Sequence, residues 1–263
     1  MITVATWNVL HRVHAEKYGE PVADHWPQEP ARIAAVTAWL KGRSEQVIGL
    51  QEVSGDQLAS LRAGLPERTV FAFRFPRVPV PHREDGTALG DPGEYLVLLA
   101  DQPGHEVAGF AFDRAPGKGA LAVRLNEMIV IVTHVSGDVR RVGELKRLAR
   151  LAGEWPDVPV VMLGDFNIGR FAVTSELGQD FAVAELPLGS RATRPDTHGV
   201  APGFIDHVVV RGARATDAEV EDSGGLSDHN LVRATIVQAE TPAAAELRRR
   251  TCPRSESTEV NRS

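Results

Sequence analysis

Cysteine is nearly absent from this chain of 263 residues. Cys252 stands alone, which excludes an internal disulfide and any thiolate-built zinc or iron–sulfur site. Long apolar runs are missing as well. No stretch approaches the eighteen or so residues a membrane helix needs. The opening Met1-Ile2-Thr3-Val4 lacks the basic and apolar regions of a secretory signal. These absences predict a cytoplasmic address and no membrane partner. Basic excess is lacking too: Lys plus Arg is 29 against 35 for Asp plus Glu, a formal −6. A protein that grips nucleic acid mainly through phosphates is usually basic. A nucleic-acid substrate would therefore need a local basic patch. The acidity has a second reading, because carboxylates gathered around a divalent cation make the bare chain look more acidic than the working protein.

What remains is a globular composition, 43% hydrophobic and 24% charged, long enough for one large α/β or all-β domain or two small ones. No solenoid-period repeat and no long linker interrupt it. Apolar patterning predicts strands at 2–7 and 47–50 and a helix over 30–40 with Ile33, Val36 and Leu40 on one face. Ser54 caps a second helix carrying Leu58, Leu61 and Leu65. Further strands are predicted at 69–75, 95–100, 107–112, 120–125 and 128–133. A Pro/Gly-rich loop with several charges, 76–93, separates the first two of these. The clearest helix is 139–155. The strand at 158–163 is apolar throughout, as expected when both faces are buried. Strands at 204–210 and 231–237 close a catalytic domain predicted over 1–239, followed by a tail, 240–263, of short helix and frayed end.

Polar residues recur where these strands end. Strand one runs into Trp7-Asn8 and the second into Gln51-Glu52; another ends in Thr133-His134, and the buried strand in Gly164-Asp165-Phe166-Asn167. Ile205-Asp206 and Ser227-Asp228-His229 complete the series. Strand ends that share a mouth are where ligands bind in α/β sheets. Converging there, Glu52, Asp165, Asp206 and Asp228 would repel one another without a cation, a shared proton or a His⁺. Oxygen ligands without thiols suit Mg²⁺ or Mn²⁺. His134 and His229 are then available as acid, base or phosphate donors.

This ordered set resembles the endonuclease/exonuclease/phosphatase superfamily, which includes deoxyribonuclease I, abasic endonucleases, deadenylases and inositol phosphatases. The resemblance implies an α/β fold, a four-layer α/β/β/α sandwich of two packed mixed sheets, and Mg²⁺-dependent (or Mn²⁺-dependent) cleavage of a phosphate ester. It implies that Glu52 ligates the metal with Asn8 beside it and Asp228 near that metal or a second. Asp165 would orient or deprotonate the attacking water, and Asn167 would donate to a phosphoryl oxygen. His229, held by Asp206, would contact the phosphate. Deoxyribonuclease I-like members place a general-acid histidine where His134 stands, and Gly93-Glu94-Tyr95-Leu96 matches the segment whose glutamate charges it. Glu94 is accordingly paired with His134, since a carboxylate neighbour raises an imidazole pKa.

Specificity is less legible. Arg74, Arg77 and Arg83, in and around the Pro-rich loop, are the candidates for phosphate-backbone contact, offset by Glu84 and Asp85. His11, Arg12 and His14 follow the first strand closely enough to line the mouth. Lys118, between two glycines, reads as the mark of a turn, and the helix charges from Arg140 to Arg150 as a solvated face. The substrate expected is a nucleic acid or nucleotide diester; the alternative is a small-molecule or lipid-headgroup phosphate. An inactive binding protein of the same fold is a third reading, against which Glu52 and His229 both stand. Oligomeric state has no sequence signature here.

Overall fold

The computed structural model describes residues 1–81, 87–196 and 201–238. Arg83, its neighbours His82, Glu84 and Asp85, and the tail over 240–263 lie outside the described residues. The first half of the chain runs β1 (Ile2–Asn8), α1 (Arg12–Tyr18), α2 (Pro21–His25), α3 (Glu29–Lys41), β2 (Val47–Ser54), α4 (Gly55–Gly64), β3 (Thr69–Arg74) and β4 (Glu94–Ala100). Then follow β5 (His105–Phe112), β6 (Ala115–Leu125), β7 (Met128–His134), α5 (Arg141–Gly153), β8 (Val160–Asp165) and α6 (Arg170–Leu177). The last four strands are β9 (Phe181–Val183), β10 (Asp206–Arg211), β11 (Ala213–Glu221) and β12 (Leu231–Gln238).

These strands make two six-stranded mixed sheets, ordered β11-β12-β1-β2-β4-β3 and β5-β6-β7-β8-β10-β9. Each sheet holds one parallel pair at its centre, β1 with β2 and β7 with β8; the other ladders are antiparallel. Alternation sorts the side chains. Val4, Val47, Leu96 and Leu98 on the first sheet pack against Leu121, Val130, Val132, Val161, Leu163 and Val208 on the second. The outer face of the first sheet, including Ala5, Trp7 and Leu50, is covered by Val36 and Leu40 of α3 and Leu58 and Leu61 of α4. Leu145 and Leu148 of α5, with Val173 and Leu177 of α6, cover the other outer face. The result is the expected four-layer sandwich, with both sheets buried on both faces.

Five elements escape the sequence reading. Helices α1, α2 and α6 are five to eight residues long, too short to show a 3.6-residue period. Strand β9 spans three residues, and β11 is an edge strand rich in charge with a break in register between Thr216 and Glu219. The strand predicted at 158–163 begins later and runs through Asp165 itself, while the one predicted at 204–210 begins at Asp206. The first shift moves Asp165 from the loop into the ladder, and the second makes Asp206 the opening residue of its strand.

One buried ion pair fixes the entrance to the site. Arg32 of α3 is 3% exposed and makes five hydrogen bonds, two to Glu29 and one each to the carbonyls of Val9, Leu10 and Leu226. It thus ties the segment after β1 to the loop before β12. Arg32→Ala would leave Glu29 with Arg12 alone, 3.9 Å away, and three carbonyls without their donor in the interior. We expect it to cost about 3–5 kcal/mol, read as a lower urea midpoint at unchanged slope. Arg32→Lys, which cannot span all five acceptors, should recover only part of that loss. A midpoint shift in Arg32→Ala worth less than about 1 kcal/mol would show that water reaches this cluster.

Candidate active site

The two parallel pairs end at the same edge of the sandwich, and their last residues face each other in register. Asn8 stands opposite Gln51, and His134 opposite Asp165, which in turn pairs with Asp206 on β10. Glu52 is aimed by a bulge. Leu50 pairs with Val97 and Val53 with Tyr95, so β2 carries one more residue than β4 over this stretch. Glu52 takes up the surplus with φ 57°, in the left-handed region that a non-glycine residue rarely adopts. Asn167 is held the same way, at φ 54°. Such strain persists where surrounding contacts over-determine it, and it clusters at functional sites.

Asp165 is the hub. Its Oδ2 accepts from Asn8 Nδ2 at 3.1 Å and lies 3.2 Å from His134 Nε2 and 4.0 Å from His229 Nε2. Its Oδ1 accepts from the Asn167 backbone N–H at 2.9 Å. His229 is buried, with Nδ1 directed at both oxygens of Asp206, at 2.9 and 3.1 Å. The Trp7 indole donates to the His229 carbonyl, and Ser227 Oγ accepts from the His229 N–H while donating to the Asn8 carbonyl. The last loop is thereby fastened to the end of β1. Glu52 Oε2 accepts from the His11 backbone N–H at 3.2 Å, and its Oε1 lies 3.9 Å from His134 Nε2.

Electrostatics sort these groups into opposite states. Burial alone would raise the Glu52 carboxyl, but His14, His134 and Lys118 outweigh it and hold Glu52 well below the usual carboxylate range. Asp165 is likewise pulled down against its burial by His134, His229 and Lys118. For His229, burial favours the neutral ring, yet Asp206 and Asp228 dominate and raise it to about 10. Burial drives Asp206 upward as well. The Asp206–His229 pair therefore favours holding a proton between its two groups. Asp165, Asp206 and His229 place ligand atoms within 4.8 Å of one another and could surround a metal ion.

The remaining predicted residues sit differently from one another. Glu94 is buried beside the site, but it makes no hydrogen bond or ion pair with His134 among the described residues; the expected direct pair is replaced. Its Oε2 accepts from His14 Nε2 and from Arg77, each at 3.2 Å. The reason is α1: His11 caps it by accepting from the Val13 N–H, and one turn on, the helix lays His14 over Glu94. Glu94 Oε1 and His134 Nδ1 are both buried without a partner. Asp228 accepts from Arg194 at 3.1 Å, so its charge is already met. Asn8 Oδ1 accepts from the Leu10 N–H, which leaves its amide N–H, not its oxygen, toward the carboxylates. Asn167 Nδ2 donates to the Val135 carbonyl. Arg74 is paired with Asp91 and rests over Tyr95.

Two cations at the site were not legible. Arg194 bridges Glu20 and Asp228 from a segment with no periodicity, so no pattern announces it. Lys118 touches His134 Nε2 and is half-buried, not at a turn tip but inside β6. The register offered a signal there, because Gly119 stands directly opposite His134.

Comparison with known proteins agrees with this geometry. No curated protein sequence matches the chain significantly. Among solved structures, an endonuclease/exonuclease/phosphatase from Beutenbergia cavernae superposes with a TM-score of 0.66 at 20% identity, covering 90% of this chain and 72% of that one. A Bacteroides vulgatus protein of the same description gives 0.64 at 18% identity, covering 90% and 99%. Truncated TDP2 from Caenorhabditis elegans gives 0.60 at 14%, covering 90% and 97%. At these identities the likeness is one of fold. The family profile reaches further, matching residues 5–229, from inside β1 to the histidine held by Asp206. The chain therefore belongs to the Endonuclease/Exonuclease/phosphatase family, whose members are typically phosphoester hydrolases.

Proposed function

We propose that this chain is a divalent-cation-dependent phosphodiesterase acting on a nucleic-acid or nucleotide diester. The observation that carries the reading is the placement of Asp165 Oδ2 between two imidazoles, His134 at 3.2 Å and His229 at 4.0 Å. A carboxylate that orients and deprotonates water needs a donor on the phosphoryl oxygens and an acid at the leaving oxygen. His229, fixed by Asp206 and held toward its protonated form, serves the phosphoryl oxygens. His134 serves the leaving oxygen, a task that an alkoxide imposes and a good leaving group does not.

The residues fit a cation at Glu52. Glu52 and Asp165 are ionised oxygen donors converging without thiols, as Mg²⁺ and Mn²⁺ require. The Asp165–Asp206–His229 group suits a cation less, because both nitrogens of a protonated His229 are donors. A bound Mg²⁺ would offset the charge that builds on the phosphoryl oxygens. Asn8 steadies Asp165 through its amide N–H, and Asn167 donates to the phosphate. Arg114, Arg140, Arg147 and Arg150 line a groove beside α5, together with Asp113 and Glu144. Arg140 and Arg147 are paired with Asp138 and Asp113, as Arg74 and Arg77 are with Asp91 and Glu94, so pairing alone does not set this groove above the Pro-rich loop as a track for an extended polyanion. The pairing of Arg74 and Arg77 favours a small phosphate ester as the second reading.

Glu52→Gln tests the assignment, because it keeps the shape and removes the charge. Mn²⁺ affinity, titrated by electron paramagnetic resonance, should fall at least roughly 10–100-fold, the loss typical of a mere outer-shell partner. Excess Mn²⁺ should restore part of the diesterase activity. Unaltered Mn²⁺ binding in Glu52→Gln would remove the metal from this place. A panel of single-stranded DNA, RNA, abasic duplex, bis-p-nitrophenyl phosphate and inositol phosphates then separates the two substrate readings.

A further inference from the structure

We infer that Lys118 is a substrate-contacting residue of this site, which rests on His134 in the free protein and moves to a non-bridging oxygen of the scissile phosphate when substrate binds. The inference rests on the phosphodiesterase reading above and names a residue that reading does not use.

The position of Lys118 is built rather than incidental. It lies in β6 between Gly117 and Gly119, and the backbone opposite Gly119 leaves no room for a side chain there. A Cβ on Gly119 would come within 2.1 Å of the Phe110 carbonyl oxygen, and one on Gly117 within 2.4 Å of the Arg77 guanidinium carbon. Just past the lysine the strand is thus pressed against the β5 backbone, and Gly119 faces His134 across the ladder. From this origin the ammonium reaches His134 Nε2, in a corner formed with Glu52 and Asp165. Its charge acts on both carboxylates. Arg194, the other cation facing the hub, is committed to Glu20 and Asp228. Lys118 has no carboxylate partner within ion-pair distance among the described residues, so it is free to move.

A phosphodiester oxygen is anionic and accepts an ammonium hydrogen bond more strongly than a ring nitrogen does. Substrate therefore draws Lys118 from the His134 ring to the phosphate, without taking it out of the corner that Glu52 and Asp165 form. His134 Nε2 is thereby freed of the lysine and left beside Asp165 at 3.2 Å.

Binding of adenosine 5′-monophosphate, measured calorimetrically on the full chain with all divalent cations chelated, tests this without turnover. Lys118→Met should weaken binding roughly ten- to hundredfold, the range for losing one hydrogen bond to a charged group. Lys118→Arg, which keeps the charge, should lose much less. Mn²⁺ affinity should stay the same or rise in Lys118→Met, because a competing cation has been taken away. Unchanged nucleotide affinity in Lys118→Met would overturn the inference. So would a parallel fall in Mn²⁺ affinity, or the absence of measurable binding by the unsubstituted chain. If Glu52→Gln loses Mn²⁺ while Lys118→Met keeps the nucleotide, the lysine alone is misassigned and the reading of the site stands.

Discussion

Asp165→Asn should lower kcat on a phosphodiester by roughly 10²–10⁴-fold at saturating Mn²⁺, with a much smaller change in KM. The substitution preserves volume, and its carbonyl oxygen can still accept from the Asn167 N–H. What it removes is the charge at Oδ2, on which Asn8, His134 and His229 converge. An amide nitrogen there would face the Asn8 amide donor. It could neither take a proton from water nor hold a positive imidazole in place. Loss confined to kcat identifies an interaction that matters at the transition state rather than in binding. Circular dichroism and a melting curve close to those of the unsubstituted chain are needed to read the result. A fall in kcat of less than tenfold would move the base elsewhere. His229, which Asp206 holds toward its protonated form, and an external hydroxide would then be the candidates to compare.

His134→Ala should separate two substrates. A nucleotide diester must expel an alkoxide, which needs a proton, and its cleavage should slow by roughly 10²–10⁴-fold. p-Nitrophenolate leaves without one, so a p-nitrophenyl diester should lose no more than about tenfold. The ratio between the two is the informative quantity, because damage to metal or phosphate binding would lower both alike. Equal losses would place His134 on the phosphoryl oxygens. Glu94→Gln should not show the same leaving-group signature, since Glu94 is engaged with His14 and Arg77 and does not touch the ring. A Glu94→Gln that mirrors His134→Ala would mean the two side chains meet when substrate is bound.

How much of this was written in the sequence depends on element length. The strands that carry the site are apolar and continuous, and their polar endings mark where each one reaches the mouth. Asn8, Glu52, His134, Asp165, Asp206 and His229 are all legible on that ground, and the structure brings them to one edge. The bulge that turns Glu52 is not legible, because nothing in Leu50-Gln51-Glu52-Val53 distinguishes a surplus residue from a paired one. The direct Glu94–His134 pair failed for a related reason. A seven-residue helix leaves no periodic trace, so the histidine it lays over Glu94 could not be weighed against the one expected there. Lys118 was misjudged by composition: glycines on both sides suggest a turn, whereas here they admit close backbone and side-chain neighbours within a strand. Charge pairs across distant segments, such as Arg194 with Glu20 and Asp228, depend wholly on tertiary placement.

The two sheets differ in how they are drawn from the chain, and this sets an order of assembly. The second sheet uses one continuous stretch, from β5 at His105 to β10 at Arg211. The first is assembled from both ends, with Ile2 of β1 paired to Ile236 of β12. During synthesis at roughly 5–20 residues per second, β1 waits some 10–50 seconds for that partner. Through this interval β1 has an open edge, while the sheet bearing His134, Asp165 and Asp206 can already close. Open apolar edges are where nascent chains join the wrong neighbour. In chain order the strands bearing His134, Asp165 and Asp206 precede the loop carrying His229, and β12, the last strand among the described residues, is the one that closes the edge of β1.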